Sequence, residues 1–203
     1  MSQASRAVSP TPLERHLNGD GHGAVTPLDA FAAARRRFLK GERVDMQELA
    51  AELGVGRATL YRWVGSRDQL LGEILWSLSD AGLRELQRRA RGEGVEWFMQ
   101  IYDGFGDLIR ANAPLRRFVS VEPEAALRVM TSKHSPQQRR IVDRYREILE
   151  DGIANHGLKP RLDVATLAFV LVRIGESFLW TDLITGEEPD TSKASEVARV
   201  LLS

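Results

Sequence analysis

Apolar residues after residue 25 recur every three or four positions in segment after segment, and nowhere do they alternate as in a half-buried β-strand. Glycine and proline separate these segments, and both residues interrupt helices. The pattern therefore predicts an all-α protein. After a first helix at 26–40 and two short helices within 46–64, we expect helices at about 67–90, 94–112, 115–120, 123–131, 137–156, 163–184 and 191–202.

The first helix has a recognisable start. Thr26 is a typical N-cap, proline follows at the first helical position, and Asp29 closes a capping box. Asp45 is expected to cap the next helix in the same way. The predicted apolar side of the first helix consists of Leu28, Phe31, Ala32, Phe38 and Leu39. Residues 1–25 show no periodicity, and we expect them to form a disordered arm.

Several classes of protein are excluded by simple features of the sequence. No apolar run is long enough to span a membrane, and the first residues lack the apolar core of a secretory signal. Cysteine is absent, which excludes disulfides, thiolate metal ligands and a cysteine nucleophile. A cytoplasmic protein is the simplest interpretation.

The charge is distributed unevenly, although the chain is formally neutral. Residues 27–67 contain eight Lys and Arg against five Asp and Glu, whereas residues 68–203 contain eighteen against twenty-one. Local charge matters more than the total for a polyanionic partner, because phosphate attraction is screened beyond roughly 8 Å at physiological salt. The positive excess coincides with the motif that follows.

Residues 46–64 have the pattern of two short helices joined by a tight turn. Leu49, Ala50 and Leu53 form an apolar stripe on the first of them. Gly54 supplies a left-handed residue, which lets the chain turn within three residues. The small side chain of Ala50 permits the two helices to cross closely.

The second short helix presents polar side chains to solvent. Val55 is predicted to fill the angle between the helices, while Ala58 and Leu60 face inward. The side chains left on the outside are Arg57, Thr59, Tyr61 and Arg62. A helix-turn-helix needs a braced but exposed helix of this kind, because that helix enters the major groove. The simpler alternative is a helical hairpin with arginines on a solvated face.

The segment Leu60-Tyr61-Arg62-Trp63-Val64-Gly65-Ser66-Arg67-Asp68-Gln69-Leu70-Leu71, together with the helices before it, resembles the TetR family of bacterial repressors. The likeness covers roughly residues 27–72 and lies in the Leu-Tyr pair, the aromatic-containing dipeptide and the Ser-basic-acidic start of the next helix. A second resemblance, over residues 173–180, is to the lactone-responsive regulators found near quorum-signal degradation genes.

This resemblance implies a complete architecture and set of partners. Residues 26–72 would form a three-helix DNA-binding head, joined by a long helix to a ligand-binding and dimerisation domain at 73–203. The protein would be a homodimer that binds a palindromic operator in double-stranded DNA. A small, largely apolar effector, such as a lactone or acyl-chain compound, would release it.

The resemblance also implies roles for individual residues. Arg57, Thr59 and Arg62 would reach base edges or adjacent phosphates, since arginine to guanine is the commonest specific contact. Tyr61 would bind a phosphate. Arg67 would do the same at the start of the fourth helix, where the helix dipole favours anions.

The sequence departs from the family pattern at two places. Gly56 stands where Ser or Thr is usual, so a helix cap and a phosphate donor are both missing. Trp63-Val64 replaces the commoner His-Phe, but the indole nitrogen of Trp63 can still donate a hydrogen bond to DNA. These departures bear on contact details rather than on the fold.

The helix at 163–184 is the most apolar of the chain, so it must be buried on several sides. Together with the last helix, 191–202, it is predicted to form a two-fold, four-helix interface. Burial within a monomeric core is the alternative.

Polar and aromatic residues interrupt this apolar helix along one stripe, namely Arg173, Glu176, Ser177 and Trp180. Because buried charges need partners, Arg173 and Glu176 form either a structural ion pair or polar anchors of a pocket. The sequence leaves both open. Aromatic residues that could complete an effector pocket are Trp97, Tyr102, Phe105, Phe118 and Tyr145, although their helical spacing also suits an ordinary core.

No motif supports catalysis. The four histidines are scattered, and the sequence has neither a metal-binding histidine pair, a Gly-x-Ser-x-Gly element nor a phosphate loop. We therefore expect no enzymatic activity, metal or cofactor. A constitutive helix-turn-helix protein without a small-molecule ligand remains the alternative function.

Overall fold

The computed structural model describes residues 25–131, 136–181 and 185–203, and these ranges contain ten α-helices and no β-strand. The helices are α1 (Pro27–Leu39), α2 (Met46–Glu52), α3 (Arg57–Val64), α4 (Arg67–Arg89), α5 (Gly94–Ala111), α6 (Ala113–Val121), α7 (Pro123–Thr131), α8 (Pro136–Asn155), α9 (Val164–Leu179) and α10 (Thr191–Leu202). The all-α prediction is confirmed.

From α4 onward the predicted helix ends agree with the structure to within two residues, with one exception. Helix α9 ends at Leu179, because the backbone of Trp180 has left helical geometry, with φ −112° and ψ 23°. The last predicted positions of that helix, 182–184, lie outside the described residues. The arm predicted at 1–25 also lies outside them, apart from residue 25.

Capping side chains explain where three helices begin. The Thr26 hydroxyl accepts a hydrogen bond from the Asp29 N–H, while the Asp29 carboxylate accepts one from the Thr26 N–H, as predicted. The Asp45 carboxylate accepts from two backbone N–H groups in the first turn of α2. Ser66 and Gln69 form a second capping box at the start of α4. These local bonds fix the phase of each helix.

The buried face of α1 differs from the predicted one. Its fully buried side chains are the small residues Ala30, Ala33 and Ala34, with Phe38, whereas Leu28 keeps 77% of its surface exposed. The prediction holds for Phe38 and for the half-buried Phe31, which packs against the first core cluster, but it is wrong for Leu28, Ala32 and Leu39, which are exposed. Alanine carries little hydrophobic signal, so the sequence pattern did not distinguish the buried Ala30, Ala33 and Ala34 from the exposed Ala32; close packing of α1 against α3 and α4 decides which alanines are buried.

Two hydrophobic core clusters organise the molecule, and α4 contributes to both. The first core cluster contains buried residues of α1–α3, the first half of α4, α6 and α7. The second core cluster contains the second half of α4 with α5, α8, α9 and α10. Helices α6 and α7 therefore pack with the N-terminal helices, although they lie far from them in sequence. In the described part of the chain, no helix combines the length and apolar character needed to span a bilayer.

Candidate nucleic-acid interface and ligand cavity

The turn between α2 and α3 has the geometry that a helix-turn-helix requires. Gly54 adopts φ +65°, the left-handed conformation predicted for it and one that glycine adopts without strain. The Val55 N–H then donates to the Ala50 carbonyl over 3.0 Å and closes the turn. Leu49 and Leu60, both 0% exposed, anchor the two helices in the first core cluster. Helix α3 is therefore held by its inner face.

The outer face of α3 carries most of the predicted DNA contacts. Arg57 and Arg62 are exposed, and Tyr61 keeps 48% of its surface in solvent. Thr59 is half-buried on the same helix. Trp63 is half-buried as well and packs against the first core cluster. The structure thus places three of these five side chains fully on the surface and two at its edge.

The start of α3 shows one correction and one expected gap. Ala58 is exposed, so the prediction that it faces inward is wrong. It precedes the buried Leu60 by two positions, which puts it about 200° around the helix. Gly56, the N-cap, provides no side-chain hydrogen bond, as its sequence predicted.

The two arginines on the outer face of α3, Arg57 and Arg62, have no carboxylate within ion-pair distance among the described residues. Arg37 on α1 contrasts with them. Its guanidinium lies 2.8 Å from both Glu48 and Glu52 of α2, and the bonds to Glu48 and then Glu52 raise the pKa of Arg37. Arg37 therefore braces α1 against α2, while the positive charge of α3 stays available.

Arg67 is held by protein partners. Its Nε donates to the Val44 carbonyl over 2.6 Å, and its NH2 donates to Oε1 of Glu122 over 2.7 Å. The Arg67 and Glu122 side chains are only 19% and 18% exposed. Arg67 therefore links the start of α4 to the loop before α2 and to the start of α7.

The second core cluster encloses a cavity of about 470 Å³ between α5, α8, α9 and the start of α10. Five of the nine predicted ligand residues line it, namely Tyr102, Phe105, Tyr145, Glu176 and Trp180. Lining residues that the sequence gave no reason to select include Asp103 and Gln138. Asp103 and Gln138 are polar residues, and nothing in the sequence distinguishes a polar residue of a cavity wall from one on a solvated face.

The aromatic side of this cavity is a packed group of rings. The Tyr102 and Phe105 rings meet the Tyr145 ring with centroids 5.9 and 6.3 Å apart. The Tyr102 hydroxyl donates to the Leu171 carbonyl over 3.0 Å. Burial, and to a lesser degree the negative charge of Asp103, raises the pKa of Tyr102. Burial likewise raises the pKa of Tyr145 well above its ordinary value, so both remain neutral phenols.

A polar network forms another part of the wall. The Arg173 guanidinium lies 2.9 Å from Oε2 of Glu176, and the Gln138 side-chain amide donates to Oε1 of Glu176 over 2.7 Å. Arg173 also donates to the Gln138 oxygen. Burial raises the pKa of Glu176, although the bond from Gln138 and the charge of Arg173 oppose that shift. Arg173 and Glu176 thus form an ion pair in which Glu176 also lines the cavity.

The other four predicted ligand residues lie away from the cavity lining. Trp97 is buried and stacks on His156, with ring centroids 4.0 Å apart. Phe118 packs edge-on against Phe38 in the first core cluster. Ser177 is exposed and donates to the carbonyl of Arg173, whose own side chain contacts Glu176 but is not part of the lining. Among the described residues, no cluster of three or more His, Asp or Glu could hold a metal ion.

Comparisons with known proteins agree with this architecture. Residues 93–203 match the family model described as Tetracyclin repressor-like, C-terminal domain. The structure of the R. erythropolis transcriptional repressor QsdR, from the TetR family, is similar with a TM-score of 0.81 and 30% sequence identity, over 87% of this chain and 93% of that chain. The TetR family repressor AlkX from Dietzia sp. strain DQ12-45-1b shares the fold, with a TM-score of 0.59 and 23% identity over 89% of this chain and 96% of that chain.

A sequence relative extends the agreement. The HTH-type transcriptional regulator YfiR of Bacillus subtilis (strain 168) is 24% identical over 169 residues, which cover 79% of this chain and 81% of that protein. The family match spans more than half of the chain, and the similarity to QsdR spans both the N-terminal helices and the C-terminal domain. The chain therefore belongs to the TetR family, whose members are DNA-binding transcriptional regulators rather than enzymes.

Proposed function

We propose that this protein is a ligand-responsive repressor that binds a palindromic operator as a homodimer and leaves DNA when a small, largely apolar effector binds. The observation that carries the proposal is the outer face of α3, where exposed arginines have no acid partner within the described residues, on a helix whose inner face is anchored in the core. In this proposal residues 26–72 form the DNA-binding head and residues 73–203 bind the effector and dimerise.

The DNA contacts follow from the exposure of α3. Arg57 and Arg62 contact base edges or adjacent phosphates, because a guanidinium group can donate two hydrogen bonds to guanine or to phosphate oxygens. Thr59 lies beside them at the edge of the contact surface. Tyr61 binds a phosphate, and the Trp63 indole N–H donates at the edge of the groove. Arg67 reaches a phosphate only by giving up its bond to Glu122 or to the Val44 carbonyl.

Dimerisation through α9 and α10 is supported by their exposed apolar side chains. Phe169 on α9 is 53% exposed, while Val197 and Val200 on α10 are 40% and 77% exposed. The two helices also pack against each other in the second core cluster, so they offer a continuous pair of faces. Burying these side chains against a second copy removes apolar surface from water.

The effector binds in the cavity between α5, α8, α9 and α10. Its volume of about 470 Å³ lies within the range of small-molecule sites. Tyr102, Phe105 and Trp180 supply apolar surface, and the neutral hydroxyl of Tyr145 can donate to an uncharged carbonyl oxygen. A lactone or acyl-chain compound fits this chemistry, in line with the resemblance to lactone-responsive regulators. Glu176 is the polar anchor, and Arg173 acts through it.

A DNA selection with the purified full chain tests the DNA-binding half of the proposal. We expect the enriched sequences to be palindromic, with half-sites about 34–36 Å apart, because two recognition helices must enter successive major grooves. Failure to enrich any sequence, or enrichment of a site without two-fold symmetry, contradicts the proposed operator and dimer.

Thermal unfolding in the presence of medium-chain lactones, carboxylic acids and alcohols tests the effector half. We expect a neutral lactone to raise the melting temperature and to lower affinity for the selected duplex, because a ligand stabilises the state that it prefers. If no compound of these classes changes either property, the alternative of constitutive DNA binding is favoured instead.

A further inference from the structure

Helix α7 is tied to the first turn of α4 by two ion pairs. Glu122, the residue directly before α7, has its Oε1 2.7 Å from the NH2 group of Arg67. Within α7, the Nε of Arg128 lies 3.2 Å from the Asp68 carboxylate. The first pair is largely shielded from solvent, with side chains 19% and 18% exposed, and solvent weakens it less than the more exposed second pair.

The contact made by Glu122 reaches both ends of the helix-turn-helix. Arg67 begins α4 directly after the short turn that follows α3, so Glu122 holds the exit of the recognition helix. Arg67 also donates to the Val44 carbonyl over 2.6 Å, and Val44 directly precedes the N-cap of α2. A displacement of Glu122 therefore changes the contacts of Arg67 with the chain segment before α2 and shifts the segment after α3.

The opposite end of α7 is bonded to the cavity wall. The carbonyl of Met130, in the last turn of α7, accepts a hydrogen bond from the Gln138 side-chain amide. The same amide donates to Glu176, and Met130, Gln138 and Glu176 all line the cavity. A ligand that displaces Gln138 from either partner therefore acts directly on the last turn of α7.

We propose that α7 transmits occupancy of the cavity to the helix-turn-helix, with Glu122 as the positioning residue at its head end. This inference rests on the proposed function. Helix α7 has nine residues, so it is a rigid rod of about 13 Å. Its buried side chains pack in the first core cluster with the N-terminal helices, which makes the head follow a shift of α7. Polar bonds at opposite ends hold the rod in place, so the loss of one of them allows α7 to shift.

This role of α7 can be separated from that of α4, which joins the two parts of the molecule covalently. Replacing Glu122 by glutamine removes the charge that holds Arg67 and leaves every residue of α4 unchanged. Glu124, two positions later in the first turn of α7, is exposed and has no ion pair among the described residues. Glu124→Gln is therefore the matched control, with the same chemical change at a site without the contact.

The test fills the cavity covalently, so that no effector has to be known. The natural chain has no cysteine, so a single introduced thiol is modified alone. Gly106 lines the cavity, and a Cβ built on it meets Thr191 Cγ2 at 3.8 Å as its nearest neighbour, an ordinary contact. Gly106→Cys is treated with butyl methanethiosulfonate, complete labelling is verified by mass spectrometry, and affinity for the selected duplex is measured by fluorescence anisotropy before and after.

In the Gly106→Cys chain we expect labelling to weaken DNA binding about tenfold or more, within the usual range of allosteric coupling. The Glu124→Gln variant of that chain should lose as much. The Glu122→Gln variant should lose less than about threefold. The ratio of unlabelled to labelled affinity is the decisive quantity, because a purely structural role of Glu122 would lower both affinities and leave their ratio unchanged.

The outcomes separate this inference from the proposed function. An equal loss with and without Glu122→Gln overturns the role of α7 and leaves the proposed function intact. No loss on labelling the Gly106→Cys chain itself overturns both, since the cavity is then not coupled to DNA binding. If circular dichroism shows that Glu122→Gln does not fold, Arg128→Gln replaces it. That variant breaks the more exposed ion pair with Asp68, and an unchanged ratio there also overturns the role of α7.

Discussion

Replacing Arg62 with alanine should weaken operator binding while leaving the fold and the dimer intact. Arg62 is exposed and has no acid partner among the described residues, so its loss should change the free energy of unfolding by no more than about 0.5 kcal/mol. On DNA, a bidentate arginine–guanine contact contributes about 1–3 kcal/mol. A homodimer makes the contact twice, so Arg62→Ala should weaken the free energy of binding by about 2–6 kcal/mol. The lower end of this range corresponds to a loss of affinity of about thirtyfold.

The assay is fluorescence anisotropy with the selected duplex at several salt concentrations, and sedimentation monitors the dimer. If Arg62 neutralises a phosphate instead of reading a base, the slope of log affinity against log salt should become shallower by about 1.8 for the dimer. Arg84→Ala is the control, because Arg84 is a 65% exposed arginine of α4 whose ion pair in the described part of the chain is with Asp80 of the same helix. Affinity that stays at the wild-type value for Arg62→Ala combined with Tyr61→Phe would refute the assignment of α3 as the recognition helix.

Three further predictions follow from burial and charge. Leu60→Ala should lower the free energy of unfolding by about 2–5 kcal/mol, since the side chain is 0% exposed and anchors α3; urea denaturation measures this, and a loss below about 1 kcal/mol contradicts it. Trp180→Ala should reduce thermal stabilisation by medium-chain lactones more than it reduces DNA affinity, and the reverse pattern removes Trp180 from the effector site. Burial raises the pKa of Glu176 in the folded protein. The protonated Glu176 side chain therefore contributes to stability fully at pH values below its pKa in the unfolded chain, and this contribution is lost as the pH rises through its pKa in the folded protein. The stability of the wild type relative to Glu176→Gln should therefore decrease as the pH rises from the ordinary carboxyl pKa of about 4 through the raised pKa, and urea melts showing a rise over that range contradict the assigned environment.

Local rules in the sequence predict the helices of this protein well. The Thr26–Asp29 capping box, the Asp45 cap and the left-handed Gly54 depend on residues within three or four positions of one another, so no knowledge of tertiary structure is needed. The Leu60 anchor follows from the same short-range periodicity. This is why the helix-turn-helix and its exposed arginines could be placed before any coordinates.

Features that depend on contacts between distant segments could not be predicted in this way. The buried face of α1 depends on how closely α3 and α4 approach it. A hydrophobicity pattern does not show this, because alanine is only weakly hydrophobic. Trp97, Phe118 and Tyr102 are all aromatic residues at helical spacing, and the packing of whole helices decides which of them lines the cavity. The bond from Arg67 to Glu122 spans 55 positions in the chain, so the sequence offered no sign of it.

The alanine face of α1 has a consequence for how such a regulator can diverge. Ala30, Ala33 and Ala34 are almost completely enclosed, so evolutionary change there is limited to side chains of nearly the same volume. Arg57 and Arg62 are exposed and have no ion-pair partner among the described residues, so their replacement leaves the core unchanged. If α3 reads the operator as proposed, new operator preferences can arise by substitution on α3 alone, without compensating changes in the helices that support it.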